Sequence, residues 1–446
     1  MPDHGIDRIP GPPAESDGVK AIVAAGGLHN YQLQLHAEYG PVVRFPLPGA
    51  DMAVSVADPV LLEATAKINK RPEKLFEFLV PLQESGNVQT LPEAEHVPWR
   101  RVMLQVLAGR PSHEAHFAQF TALTTAMADR WAEAAARGPV ALQQDLSRLS
   151  LQMVCEYALG SGFESEETAG RVVSAFEDLL TDQLARLYQV DVGVAEEERR
   201  TRSEEGLTYL RGMVDEVLAA HQGSAAAAEK SDLVAALAAA GESAPRIRDT
   251  VLMTMMAAHH TTGVAISWAL YLLSRHPEAA ARVAEEVDRV LGDREVPGYG
   301  DLRQLSYLDR VLREAMRLYP PGPYGAREAT EEFRLGDYTI PAGTTIFYPF
   351  WAVHMNPDHW PEPEVFNPDR FTPEASADRH RLAYIPFGVG PRSCEGAALA
   401  MVEATLVLAV LLKRFRFELA PGQTVTPIER FVLWAAEDIR MEISPR

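Results

Sequence analysis

The residues best equipped for chemistry lie in Pro386-Phe387-Gly388-Val389-Gly390-Pro391-Arg392-Ser393-Cys394-Glu395-Gly396, which carries one of the 2 cysteines of the chain. An apolar, strand-like run, Leu382 to Ile385, precedes it, and a long apolar helical run, Ala397 to Leu412, follows. Cys394 therefore stands where a loop enters a helix. Open amides at a helix N-terminus favour an anion, and a thiolate is one. Gly388 and Gly390 let the backbone curl tightly and approach a flat ligand. Phe387 can lie against the face of that ligand, and Arg392 supplies a cation. These residue types in this order suit a haem whose iron takes a cysteine thiolate. The plainer alternative is a lone buried cysteine after a glycine turn. Cys155 shows the contrast: it sits in an apolar helical run, Leu149 to Leu159, without glycines or nearby cations, as an inert core thiol would.

A second reactive group interrupts the longest apolar helical run, Ile247 to Arg275, at Ala257-Ala258-His259-His260-Thr261-Thr262. Imidazoles and hydroxyls inside an apolar helix cost free energy unless satisfied. Adjacent histidines splay apart on a helix, whereas a helical metal pair needs i, i+4 spacing. Two hydrogen-bonded core histidines are the plain reading. His96 and Arg100 share a helix face at i, i+4, and alone they read as a solvated pair. Glu314 and Arg317, at i, i+3, alone read as a surface ion pair of little value.

The elements that must position these groups can be traced in order. Ile9-Pro10-Gly11-Pro12-Pro13 cannot be helical and reads as an entry arm. A helix over Tyr31 to Tyr39 is stopped by Gly40-Pro41; Val42 to Pro46 and Met52 to Val56, around the turn Pro48-Gly49-Ala50-Asp51, read as a hairpin. Residues 71–92 read as a loop rich in Phe76, Phe78, Leu79 and Val80, large apolar residues that need cover, either from the protein's own core or from a bound ligand. Ala115 to Ala240 is mostly helical, with breaks near Gly138-Pro139, Gly160-Ser161-Gly162 and Gly223-Ser224, and Phe415 to Leu419 and Phe431 to Trp434 close the chain as strands. No Gly/Ser-rich linker or internal repeat divides the 446 residues, so they read as one large domain. Two cysteines so far apart indicate no disulfide framework and point to a reducing, cytoplasmic compartment. No signal peptide or membrane anchor opens the chain. A formal charge of −20 argues against nucleic acid and anionic membranes as partners.

The spaced pattern Phe387-x-x-Gly390-x-Arg392-x-Cys394-x-Gly396, then Ala400 and Glu403, resembles the haem-binding loop of cytochromes P-450. The resemblance implies a mainly helical fold with a smaller β lobe, the latter drawn from about 41–70 and 327–350, and a haem b held by Cys394. It is to the soluble, bacterial kind. It also implies that Arg392, Arg327, Arg100 and His96 hold the haem propionates, with Trp99 as a wall, and that Phe387, Gly388, Gly390 and Gly396 shape the loop beneath the ring. Glu314-x-x-Arg317 and the later Phe366-Asn367-Pro368-Asp369-Arg370-Phe371 resemble the family's buried Glu-Arg-Arg triad. The family's central helix carries a small residue, glycine, any residue, an acid and threonine over the haem. Here Ala257 and Thr261 match, while Ala258 replaces the glycine and His260 the acid; the run is similar to that of bacterial sterol demethylases. Phe76-x-Phe78-x-x-Pro81 faintly resembles a substrate-loop signature of the same enzymes. Residues 170–205 would lid the pocket, and Phe76, Phe78, Leu79, Met253, Met256, Ala257, Tyr324, Phe431 and Leu433 would line it.

The implied reaction is insertion of one oxygen atom from dioxygen into a lipophilic small molecule (a terpenoid, sterol, polyketide or acyl chain of secondary metabolism). Thr261 and His260 would deliver protons. No flavin, nicotinamide or iron–sulfur motif is present, so electrons from NAD(P)H would arrive through a separate ferredoxin and ferredoxin reductase, docking on a basic patch at Lys413, Arg414 and Arg416. A peroxide-driven or non-oxygenating haem-thiolate enzyme, or a haem-binding sensor, are the alternatives.

Overall fold

The computed structural model describes residues 5–13, 15–48, 50–87, 89–159, 166–188, 192–222, 232–430 and 432–446. Phe431, the side chain of Phe78 and the breaks read at Gly160-Ser161-Gly162 and Gly223-Ser224 lie outside the described residues.

Ten longer helices, supplemented by short helical turns, dominate the described residues: α1 (Leu28–Tyr39), α2 (Glu93–Leu107), α3 (Arg110–Ala135), α4 (Leu142–Leu159), α5 (Glu166–Tyr188), α6 (Glu196–Gln222), α7 (Ala244–Arg275), α8 (Pro277–Leu291), α9 (Ser306–Leu318) and α10 (Ala397–Arg414). The chain is therefore mainly helical. The central helix α7 is buried through most of its length, from Ile247 to Leu273, which explains why its sequence is apolar all round rather than on one stripe. It packs most extensively on α4. The contact is close because Gly263 carries no side chain: a Cβ there would fall 2.5 Å from Ser147 N and 2.6 Å from Leu146 C. At its far end Trp268 Nε1 donates to Leu433 O at 2.8 Å, tying the helix to a C-terminal strand.

The β lobe is a four-stranded sheet in the order β1 (Val42–Leu47), β2 (Ala50–Val56), β7 (Thr345–Tyr348), β4 (Gly325–Glu328). The first pair is the expected hairpin; β2 then pairs in parallel with β7, Ala53 facing Thr345. Both faces of the sheet are covered. Val43, Phe45 and Phe347 pack under α1 with Leu28, Tyr31 and Leu35. On the other face Val42, Val54, Ile346 and Tyr348 pack against Leu382, Ile385 and Val389, which lead into the cysteine loop. The sheet thus serves as the bed of that loop. Two hairpins, β5 (Phe333–Leu335) with β6 (Tyr338–Ile340) and β9 (Pro427–Arg430) with β10 (Val432–Ala435), and a three-stranded sheet of β3 (Val140–Ala141), β11 (Arg440–Pro445) and β8 (Phe415–Leu419) complete the strands.

Two expectations from sequence need correction. Leu382 to Ile385 is not a strand: Arg381–Ala383 is a 3-10 turn, and the Ile385 N–H is taken by His354 Nε2 at 2.8 Å instead of a neighbouring strand. Residues 71–92 are not simply a loop, since Glu73–Leu82 is a 3-10 helix. That segment is fastened to α7 by Asp249, whose carboxylate accepts from Glu84 N at 2.7 Å and Ser85 N at 2.6 Å. Among the described residues no helix is long and apolar enough to cross a membrane.

Candidate active site

The cysteine loop is held by its own backbone. Cys394 N donates to Phe387 O at 2.8 Å, Gly388 N to Ile385 O at 2.9 Å and Ser393 N to Gly390 O at 3.0 Å. Gly390 has φ +68°, and a Cβ on it would lie 1.9 Å from Ala66 O, so no other residue fits without moving the backbone. Cys394 precedes α10, and its accessible surface faces a cavity of about 380 Å³. Protein surrounds it otherwise. Burial pushes its thiol up to about 12, Glu395 adds to this, and the Gly396 N–H pulls the other way.

Helix α7 also lines the cavity, through Met253, Met256, Ala257, His260, Thr261 and Thr262. Thr261 Oγ1 donates to Ala257 O at 2.9 Å, inside its own helix. The adjacent histidines do not splay. Their rings stack at 3.7 Å between centroids, 25° apart, with Phe176 against His259 and Trp434 edge-on to His260 at 4.8 Å. The flanking rings leave stacking as the packed arrangement. No described residue hydrogen-bonds His259, and His260 Nδ1 is equally without a partner. Burial lowers the pKa of both, that of His260 to about 4. At neutral pH each is an uncharged imidazole.

A cluster of cations stands at the same cavity. Arg327 on β4 and Arg392 in the loop line the cavity, as expected, and so does Arg71, which no spacing in the sequence singled out. Arg71 donates to Gln89 Oε1 at 2.5 Å and lies over the Phe76 ring at 4.4 Å. Burial and then the charge of Arg327 hold both Arg71 and Arg392 below the ordinary guanidinium value, Arg392 at about 10; Glu395 opposes the shift in both and in Arg327. Arg392 Nε donates to Asn69 O at 2.9 Å and Arg327 Nη2 to Val389 O at 3.2 Å. Arg100 stands behind the loop rather than in the cavity wall: it donates to Ser393 O at 2.7 Å, to Ser393 Oγ at 3.0 Å, and pairs with Glu395. His96 is buried without a hydrogen bond to either ring nitrogen, and burial and Arg392 drive it down to about 3. Trp99 is buried too, donating to Thr250 Oγ1 at 3.1 Å.

So many mutually repelling guanidinium groups around one carboxylate call for further anions. A flat ring bearing two carboxylates, with a metal toward Cys394, answers the cations, the orphaned His96 and the free face of the loop together. The residues present fit a haem. Among the described residues no other cluster of His, Cys, Asp and Glu could hold a metal.

The remaining pocket residues divide. Phe76, Leu79 and Tyr324 line the cavity, as do Phe387, Gly388 and Gly396; Gly390 shapes the loop from behind. Leu433 does not line it: it is fully buried, and strand alternation gives Val432 the cavity position. Helices α5 and α6, which hold the stretch expected to lid the pocket, pack on each other and are joined by Arg199 Nε to Asp182 at 3.1 Å, and none of their described residues lines the cavity. Two of the three residues of the expected basic patch are paired, while Arg416 is exposed on β8. Lys413 and Arg414 end α10, roughly 24 Å along the helix from its cysteine end. There Lys413 is neutralised by Asp288 at 3.0 Å and Arg414 by Asp129 at 2.6 Å.

Glu403, two turns into α10, is buried on the cavity wall beside Thr262, with Oε1 unpaired. Burial raises its carboxyl to about 8 from an ordinary 4.5. The unfolded chain gives up this proton first, so stability should fall as pH rises from about 4.5 to about 8, by up to ~1.4 kcal/mol per unit, and then level off. Urea unfolding across that range should show Glu403→Gln losing part of this slope. An identical slope in the variant would mean the carboxyl is already ionised in the fold.

Comparison with known proteins gives the same reading. A family model described as "Cytochrome P450", here written P-450, matches residues 19–443. The chain is 33% identical over 310 residues to cytochrome P-450 4c21 of Blattella germanica, covering 63% of this chain and 61% of that protein. It is 35% identical over 252 residues to cyclooctatin synthase of Streptomyces melanosporofaciens, covering 55% and 54%. The chain thus spans less than two thirds of the length of these relatives. The crystal structure of the cytochrome P-450DA haem domain shares the fold, with a TM-score of 0.86 over 98% of each chain at 24% identity.

Proposed function

The chain belongs to the cytochrome P-450 family, and we propose that it is a haem-thiolate monooxygenase that inserts one oxygen atom into a lipophilic small molecule. The observation that carries this reading is one mostly apolar cavity lined by both Cys394 and Thr261. Arg71, Arg327 and Arg392 would hold the haem carboxylates in the cavity, with Arg100 bracing the loop and the unpartnered ring of His96 available to a carboxylate. When bound, the haem supplies activation of dioxygen, and a thiolate on its iron favours O–O cleavage.

The chain's own residues then position and protect. Met253, Met256, Leu79 and Phe76 exclude water and receive an apolar skeleton. Thr261 Oγ1, at the cavity face of α7, can turn its proton from Ala257 O toward a water in the cavity and take one back. His260 stays uncharged at neutral pH and therefore does not stand in for an ionised acid. Electrons from NAD(P)H come from a separate ferredoxin and ferredoxin reductase, in the cytoplasm. The pairing of Lys413 and Arg414 with Asp288 and Asp129 leaves the docking face to other residues.

The test is turnover of lipophilic candidates with ferredoxin, reductase and NAD(P)H, measured as product formed per NAD(P)H consumed. Thr261→Ala should still bind substrate while its electrons drain to hydrogen peroxide, each tenfold loss of product rate corresponding to about 1.4 kcal/mol of transition-state stabilisation. Full coupling in Thr261→Ala, or turnover with hydrogen peroxide and none with the electron-transfer partners, would replace the monooxygenase by a peroxide-driven enzyme.

A further inference from the structure

The cavity wall is mostly apolar, and on α7 it carries an uncharged imidazole that the protein leaves unsatisfied. His260 is 7% exposed and lines the cavity. Its Nδ1 is buried with no partner, and no described residue hydrogen-bonds its other ring nitrogen. The stacked His259 and edge-on Trp434 fix the ring plane, so the imidazole cannot swing away to find water. A buried N–H without an acceptor is costlier than a buried lone pair without a donor. The proton therefore belongs on Nε2, and His260 offers the cavity a donor.

Its polar neighbours are committed elsewhere. Thr254 donates to Thr250 O at 2.9 Å and Thr261 to Ala257 O at 2.9 Å. Thr262 is engaged with Glu403, and the Tyr324 hydroxyl donates to Glu429. An apolar occupant would leave the His260 donor unpaired, whereas an acceptor oxygen would satisfy it.

We propose that His260 reads an acceptor oxygen on the substrate, so that the lipophilic molecule taken by this cavity already carries a carbonyl or hydroxyl group on the side facing α7. This rests on the reading of the cavity as a substrate pocket and narrows it. The reaction that supplies the substrate is then one that installs or exposes that oxygen on a hydrocarbon skeleton.

Isothermal titration calorimetry of the haem-loaded protein tests this without turnover. The probes are three matched pairs: decane and decanone, decalin and decalone, cyclododecane and cyclododecanone. The readout is the ketone-to-hydrocarbon affinity ratio in the wild type divided by the same ratio in His260→Phe, which keeps a ring for stacking but removes the donor. That quotient should be about three- to tenfold for the pair that binds best. His259→Phe should preserve the wild-type ratio, and His260→Gln should retain part of it through its amide N–H. A quotient near one with both members of a pair binding overturns the role of His260 and leaves the pocket reading intact. Failure of every pair to bind overturns the pocket reading and this inference with it.

Discussion

Cys394→Ser is expected to abolish the red-shifted Soret band of the reduced carbonyl complex, because a thiolate opposite carbon monoxide produces that shift and a serine hydroxyl does not. Cys394 is the cysteine whose surface meets the cavity, whereas Cys155 is fully buried in the helical core, where burial raises its pKa well above the ordinary thiol value. Cys155→Ser should therefore leave the band in place. A serine at position 394 keeps nearly the same volume, and the Cys394 N–H to Phe387 O bond is made by backbone, so the loop should survive the change. Reduced-minus-carbonyl difference spectra of both variants provide the check, and an unshifted wild type or a shifted Cys394→Ser would remove Cys394 from the metal.

Glu314→Ala should yield little folded protein. Glu314 and Arg317 are both fully buried, and the carboxylate receives Arg317 Nε at 2.7 Å and Nη2 at 2.8 Å in a bidentate pair. Asn367 N also donates to it at 2.9 Å, and Arg370 Nε approaches at 3.4 Å. Arg317 further donates to His354 O at 3.0 Å, tying α9 to the short helix Phe350–His354, whose His354 ring accepts from Ile385 N just before the cysteine loop. Removing the carboxylate strands two buried guanidinium groups, a loss of roughly 3–5 kcal/mol. A domain's whole stability is about 5–15 kcal/mol. Denaturant midpoints and haem content would both fall; a variant that melts like the wild type would show the triad to be dispensable for stability.

What could be read from sequence was local. Cys394, Gly388 and Gly390 lie within one short loop, and Glu314 and Arg317 within one helical turn, so spacing alone brings them together. The apolar run of α7 marks a buried helix by composition. Arg71 escaped because the cations it joins, Arg327 and Arg392, lie more than two hundred residues away, and its contacts nearby in the chain, Gln89 and Phe76, carry no charge that would mark it. Leu382 to Ile385 has the apolar character of a strand, but its amide found His354 instead of a strand. Lys413 and Arg414 form a patch in one dimension and separate ion pairs in three. The stacking of His259 on His260 depends on Phe176 and Trp434, which arrive from other elements.

The parallel pairing of β2 with β7 has a consequence for the order of events on the ribosome. Ala53 must wait for Thr345, about 290 residues later. At ordinary synthesis rates of about 5–20 residues per second, that delay is on the order of a quarter of a minute to a minute. Meanwhile the nascent hairpin shows both apolar faces, with Val43 and Phe45 on one side and Val54 and Val56 on the other. Such long-range closure is slow and exposed to aggregation, so a chaperone that shields the first hairpin would raise the yield of intact enzyme. Arg327, Arg392 and Cys394 likewise emerge more than two hundred residues after Arg71 and His96. A site built from both stretches can close only after Cys394 has been made and the segment that carries it has docked on the one that carries Arg71.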